Sequence, residues 1–170
     1  DIPSDYIHAG SDVTNLRQVI LKEMEERNLT CKCIRCREVK NKKEALDKID
    51  HALLFVRKYE ASDGNEYFIS FESPDNKILY GFLRLRINEN NDNLVFEELH
   101  DCALIRELHV YGQVVTSSYN NKHDEKAQSK GFGKKLMNLA EEIALENKYY
   151  SIAVISGIGV KKYYKKMGYS

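Results

Sequence analysis

The sequence predicts an α+β fold: a mixed, mostly antiparallel sheet flanked by helices. Three observations carry that prediction. The runs "LLFVRKYEA", "EYFISFES" and "ILYGFLRLRIN" are rich in β-branched and aromatic residues and are broken by "SDG" and "SPDN" turns, the pattern of consecutive antiparallel strands. A further strand, "CALIRELHVYG", and a buried strand, "SIAVISG", bracket a helical pattern over 131–147 that sets Leu136, Leu139, Ala140, Ile143 and Ala144 on one face. Strands therefore come first and a β-α-β-α run follows, which places the chain among α+β folds with a mixed sheet.

The remaining elements follow in order. Residues 11–29 space Leu16, Val19, Ile20 and Met24 helically behind the candidate caps Ser11 and Thr14, so they predict an amphipathic helix. "NKKEALDKI" predicts a second, short helix, "ENNDN" a polar loop, and "TSSYNNKHDEKAQSK" a long polar connection ending at two glycines. A short basic helix, "GVKKYYKKMGY", closes the chain. At 170 residues and 42% hydrophobic, the chain can bury one core with room for a small subdomain. Its 26 basic and 26 acidic residues cancel, so no global field draws it to nucleic acid. No apolar run approaches the ~20 residues of a spanning helix. The N-terminal "DIPSDYIHAG" lacks the basic end and apolar stretch of a signal peptide. A cytoplasmic setting without a membrane partner is the expectation.

The stretch "QSKGFGKK" is the first candidate site. A helix N-terminus exposes unpaired backbone N–H groups and the positive end of the helix dipole, an anion site wherever the backbone is bare enough for close approach. Gly131 and Gly133 supply that bareness, and Lys134 and Lys135 oppose the usual acidic preference of a first turn, as they can if a diphosphate compensates them. Glycines at this spacing also simply end loops. The G-x-x-x-x-G-K-[ST] of a P-loop is absent, as is a Rossmann G-x-G-x-x-G within a βαβ unit.

The second is "CKCIRC". Cys31, Cys33 and Cys36 bring three thiols within a few residues, a spacing suited to tetrahedral zinc; the alternative is free thiols. Cys102, the only other cysteine, is the candidate fourth ligand, and a histidine or a residue outside the chain could replace it. Around them Lys32, Arg35, Arg37, Lys40, Lys42 and Lys43 make a locally basic segment able to meet phosphates.

The string "QSKGFG" resembles the Q-x-x-G-x-G pyrophosphate loop of the GNAT acetyltransferases, in the family's order of strand, loop, helix, strand and Tyr-bearing helix. With "LIRELHVYGQVV", "AVISGIGVKKYYKKMGY", "DIPSDYI" and "CKCIRCREV", the chain is similar to the C-terminal half of the Elongator catalytic subunits. In that family a radical-SAM domain precedes an acetyltransferase domain and the two modify the wobble uridine of tRNA. The resemblance implies residues 1–50 as a linker and zinc-binding region after an absent radical-SAM domain, and 51–170 as a GNAT-like acetyltransferase domain whose last strand is missing. It implies acetyl-CoA along Glu107, Leu108, His109 and Val110, with its diphosphate on the amides of Gly131, Phe132, Gly133, Lys134 and Lys135 and Gln128 opening the loop. The implied partners are tRNA, the radical-SAM domain of the same polypeptide and accessory subunits. An iron–sulfur cluster and S-adenosylmethionine are implied only for the absent domain, since the CxxxCxxC spacing is missing here.

In the family, a tyrosine on the last helix hydrogen-bonds the leaving thiolate. Adjacent tyrosines on a helix point roughly 100° apart, so one of Tyr163 and Tyr164 packs in the core; Tyr164 is the expected cofactor-facing residue and Tyr163 the runner-up. Glu107 and His109 share one strand face and could act as a base toward an amine, or simply face solvent. The implied function is acetyl transfer to carbon 5 of the wobble uridine of tRNA on the way to a carboxymethyl group; the alternative is N-acetylation of a protein or small-molecule amine.

Overall fold

The computed structural model describes residues 13, 15–39, 48–89, 94, 96–111 and 131–170. The chain divides into two compact units, residues 1–36 and residues 37–170. This division precedes the boundary expected at residue 50 because residues past Arg37 are already tied to the sheet: the Val39 N–H bonds the Leu79 carbonyl, and Ile49 is buried in the core.

In the first unit, helix α1 spans Leu16–Glu26 and the single turn α2 spans Ile34–Arg37, ending at the division. The expected caps Ser11 and Thr14 lie outside the described residues. Instead, Asn15 begins α1 from a left-handed φ of 61° with no side-chain cap. The apolar stripe exists, but none of the helix is buried, and Leu16, Val19 and Ile20 are exposed.

The second unit is a five-stranded sheet in sequential order: β1 (Leu53–Ala61), β2 (Gly64–Glu72), β3 (Leu79–Asn88), β4 (Cys102–Val110) and β5 (Ser151–Val154). The first three junctions are antiparallel and β4–β5 is parallel, so the sheet is mixed as expected. The "SDG" turn closes β1 onto β2 with Ser62 and Asp63 both at positive φ and Ala61 facing Gly64. In "SPDN" the Ser73 hydroxyl holds Asp75 at 2.6 Å and Asn76 turns through φ 57°. The predicted helix at "NKKEALDKI" and the "ENNDN" loop fall largely outside the described residues. Strand β5 is half-buried rather than fully buried, because among the described residues it has a neighbour on one side only.

Helix α3 (Phe132–Glu146) packs on one sheet face. Phe132, Leu136, Met137, Ala140, Ile143 and Ala144 meet Ile69 and Phe71 of β2, Leu83 and Leu85 of β3, and Ala103 and Ile105 of β4 in one core. The Phe71 and Phe132 rings stack at 4.2 Å and pin the helix start to the sheet. Helix α4 (Lys161–Lys165) is a short turn whose Tyr164 also enters this core.

The opposite face is polar yet closed. Glu66, Ser70 and Glu72 of β2 are each about fully buried, and cross-strand arginines cover them. Glu72 receives Arg37 and Arg57 at 2.7 Å each and Ser70 at 2.7 Å; Glu66 receives Arg106 at 2.6 Å and Arg86 at 3.3 Å. Burial pushes the Glu72 carboxyl up, but the Arg57 and Ser70 hydrogen bonds and the Arg37 charge outweigh it and hold it below the ordinary carboxylate value.

A carboxyl lowered in the folded state adds stability above its unfolded value, near 4.5, and loses it as pH falls through the lower folded value. Glu72→Gln should therefore cost about 1–3 kcal/mol near neutral pH. The gap to the parent should close as pH falls below that value, read by urea melts across pH. A gap of the same size in acid contradicts the assignment.

Candidate functional site

The site begins with a defect in the sheet. Along the β3–β4 ladder Leu85 faces Ile105 and Arg84 faces Glu107, so Arg106 is an extra residue bulged out of register. The bulge puts Arg106 and Glu107 on the polar face together. Arg106 binds Glu66, and Arg84 donates to Glu107 Oε2 at 2.6 and 2.8 Å. It also returns Leu108 and Val110 to the core side, where both pack against the buried cluster.

On its other side β4 loses its neighbour at the same place. The β4–β5 register runs from Cys102–Ser151 to Ile105–Val154, and the last hydrogen bond joins the Ile155 N–H to the Ile105 carbonyl at 2.9 Å. Beyond it, Glu107–Val110 pair only with β3 among the described residues, which leaves their second backbone edge open. An open edge accepts an extended amide-bearing arm as it would a further strand.

The start of α3 stands at the end of this open edge. Gly131 adopts φ 65°, a left-handed conformation that favours glycine, and faces open space. The first intrahelical bond runs from Lys135 N–H to the Gly131 carbonyl, so the amides ahead of it lack helical acceptors, and no side chain caps them. No acidic residue occupies the first turn, and Lys134 and Lys135 are exposed. A Cβ on Gly133 would overlap the Tyr163 hydroxyl and lie 3.6 Å from Val110 Cγ2, so this glycine is what lets helix start, strand end and tyrosine meet. Gln128 and the connection before it lie outside the described residues.

The two tyrosines take different environments. Tyr164 is the core ring, 8% exposed and edge-on to Tyr163 and Tyr169, whereas Tyr163 is 43% exposed and reaches Gly133. Among the described residues neither hydroxyl has a hydrogen-bond partner. Burial pushes both phenols up, so both remain protonated donors at neutral pH.

Glu107 and His109 do share the polar face. Glu107 is engaged by Arg84, while His109 is exposed and stacks on Phe82 at 5.2 Å. The sequence reading passed over Arg84, Phe82 and Tyr111; the alternation of Phe82 and Arg84 in β3 was the signal available for two of them.

In the first unit Cys31, Cys33 and Cys36 place their sulfurs within 4.8 Å of one another. Thiolates bound about 2.3 Å from a tetrahedral zinc would stand about 3.8 Å apart, so the donor set fits such an ion with little movement. A Cys36 backbone hydrogen bond and the Cys31 side chain lower the Cys33 thiol to about 6, which makes it a thiolate at neutral pH. Desolvation and the neighbouring sulfurs push Cys36 up. Arg17 of α1, which the sequence reading also missed, donates to Cys36 Sγ at 3.0 Å. Cys102 belongs to the second unit, where its thiol donates to the Glu98 carbonyl at 3.5 Å, and it is not part of this thiol group. Of the basic segment, Arg37 is bound to Glu72, and Lys40, Lys42 and Lys43 lie outside the described residues. Among the described residues no helix is long and apolar enough to cross a membrane.

Comparison with known proteins agrees with this geometry. The chain is 42% identical to a tRNA uridine(34) acetyltransferase of Methanocaldococcus jannaschii over 99% of its length, and 40% identical to Elongator complex protein 3 of Homo sapiens over 99%. It spans 31% of the length of each of these relatives. The solved structure of the archaeal Methanocaldococcus infernus Elp3 with an N-terminal deletion (1-46) covers all of the chain with a TM-score of 0.71 at 38% identity, and the chain covers 40% of it. Residues 35–169 match the Acetyltransferase (GNAT) family, and with the bulged β4, its open edge and the bare start of α3 the chain belongs to that family.

Proposed function

We propose that this chain is the acetyl-CoA-binding part of an enzyme that modifies carbon 5 of the wobble uridine in tRNA. The observation that carries the reading is the open β4 edge ending at an uncapped helix start. The backbone of Glu107, Leu108, His109 and Val110 takes the pantetheine arm, and the amides of Gly131, Phe132, Gly133, Lys134 and Lys135, with Gln128, take the diphosphate. Acetyl-CoA supplies an activated acyl group. Tyr163, over Gly133, closes the phosphate end, and the Tyr164 hydroxyl donates a hydrogen bond to the departing thiolate.

The relatives named as tRNA uridine(34) acetyltransferases support tRNA as acceptor. So does the state of Glu107: an N-acetyltransferase wants a free base, and this carboxylate is already bound by Arg84. We assign residues 1–50 to a zinc-holding linker and 51–170 to acyl transfer. Radical chemistry, with its iron–sulfur cluster and S-adenosylmethionine, belongs to a domain that the longer relatives have room for. The site of action is the cytoplasm, and accessory subunits complete the assembly.

Calorimetry with acetyl-CoA tests the donor site. Gly131→Glu should abolish binding, since the φ of 65° and the phosphate position both reject the new side chain. Tyr164→Phe should bind normally but slow thiol release by ~10²–10⁴-fold. Unchanged affinity in Gly131→Glu refutes the site.

The acceptor is tested by salt titration of tRNA binding to the full-length polypeptide, which should weaken with a log–log slope of about −0.9 per neutralised duplex phosphate. A protein that ignores tRNA and acetylates lysine peptides at about 1 s⁻¹ or faster supports the amine reading instead.

Zinc is our assignment for Cys31, Cys33 and Cys36. Elemental analysis should find zinc in the purified protein, and Cys33→Ser should lose it. A folded, metal-free preparation made without chelators rules the assignment out.

A further inference from the structure

One row of side chains on the polar face has no part in the donor site. Phe68 of β2 stacks on Phe82 of β3 at 5.2 Å and 25°, and Phe82 stacks on His109 of β4 at 5.2 Å and 29°. These separations are close to the ~4.8 Å spacing of neighbouring strands, so the stack climbs the sheet one strand at a time. Phe82 and His109 are direct cross-strand partners. Tyr111, nearly parallel to His109 at 6.4 Å, widens the last step. Phe68 and Phe82 are buried, at 9% and 3% exposed, so only the His109 end of the row is accessible.

The row stops at His109 because the sheet does. Strand β5 leaves β4 after Ile105, so among the described residues no neighbouring strand provides a next ring at the level of His109. His109 ends the row on the open edge of Glu107–Val110, on the face opposite α3. A planar group set there would stand beside an arm held by that edge.

We propose that His109, backed by Phe82 and Phe68 and flanked by Tyr111, is a stacking shelf for the acceptor pyrimidine base, holding its ring beside the acyl-bearing arm. This inference rests on the donor and acceptor reading given above. A ring supported by two others is pre-oriented and loses little freedom when a base stacks on it, and stacking is the general means by which proteins hold a splayed-out nucleobase. The role is one of position: the imidazole contributes a face, and its proton is not used.

The test measures binding of the protein to a short RNA stem-loop carrying uridine in its loop, and to the same RNA abasic at that position. His109→Ala should weaken binding of the uridine loop by roughly 5- to 150-fold, the effect of losing one stacked base. His109→Phe should bind within about 3-fold of the parent, because phenylalanine preserves the ring face and removes the titratable nitrogen. The abasic RNA should not distinguish the three proteins. If His109→Ala binds the uridine loop as the parent does, or if His109→Phe is as weak as His109→Ala, the shelf is overturned while the donor site stands. A parent that binds acetyl-CoA but neither RNA overturns the acceptor reading, and the shelf with it.

Discussion

The functional part of this chain depends on one local constraint, the single extra residue in β4. Arg106 breaks the two-residue alternation of the strand, and two ion pairs to different strands hold the break: Arg106 to Glu66 on β2, and Glu107 to Arg84 on β3. Without the bulge, Glu107 and His109 would turn toward α3, and Leu108 and Val110 would face water. With it, the core side remains apolar up to Val110, and the polar side presents Glu107, His109 and Tyr111. The register breaks just where β5 departs, so the free backbone edge and the redirected side chains occur at one place.

The buried charges on the polar face follow from that arrangement. A sheet with one apolar and one solvated face would leave Glu66 and Glu72 wet; here arginines from β1, β3 and β4 and Arg37 fold over them. Each carboxylate is shared between two guanidinium groups, which offsets the cost of removing it from water. Glu66 Oε2 is the exception among the described residues, buried without a hydrogen bond, and it lies beside the bulge. The cost of that unsatisfied oxygen falls at the point where the strand register shifts.

The helix start works by what it lacks. Gly131 and Gly133 have no side chains, no carboxylate caps the first turn, and the lysines point outward. Each omission weakens α3 taken alone, since caps and acidic first turns stabilise helices. The loss is offset at the other side of the helix, where Phe132, Leu136 and Met137 are buried against the sheet and the Phe71–Phe132 stack fixes the first turn. The tertiary core thus carries a helix end left bare.

Much of this was legible in the residues. The alternating runs marked β1 to β4, the "SDG" and "SPDN" turns marked their connections, and the 3.6-residue period marked α3, because those signals are local and each residue reports its own periodicity. The glycines before Lys134 and the spacing of Cys31, Cys33 and Cys36 were legible for the same reason. What only the tertiary structure decided is non-local. The bulge at Arg106 is a relation between two strands, and the choice of Tyr164 over Tyr163 for the core depends on what packs above a five-residue helix. Arg17 beside the thiols and Phe82 beneath His109 meet their partners across 19 and 27 positions of chain, as their numbering shows. Sequence periodicity states which face a side chain takes within its own element. It does not state which other element lies opposite, because that is fixed by the register of the whole sheet and by the closing of the core.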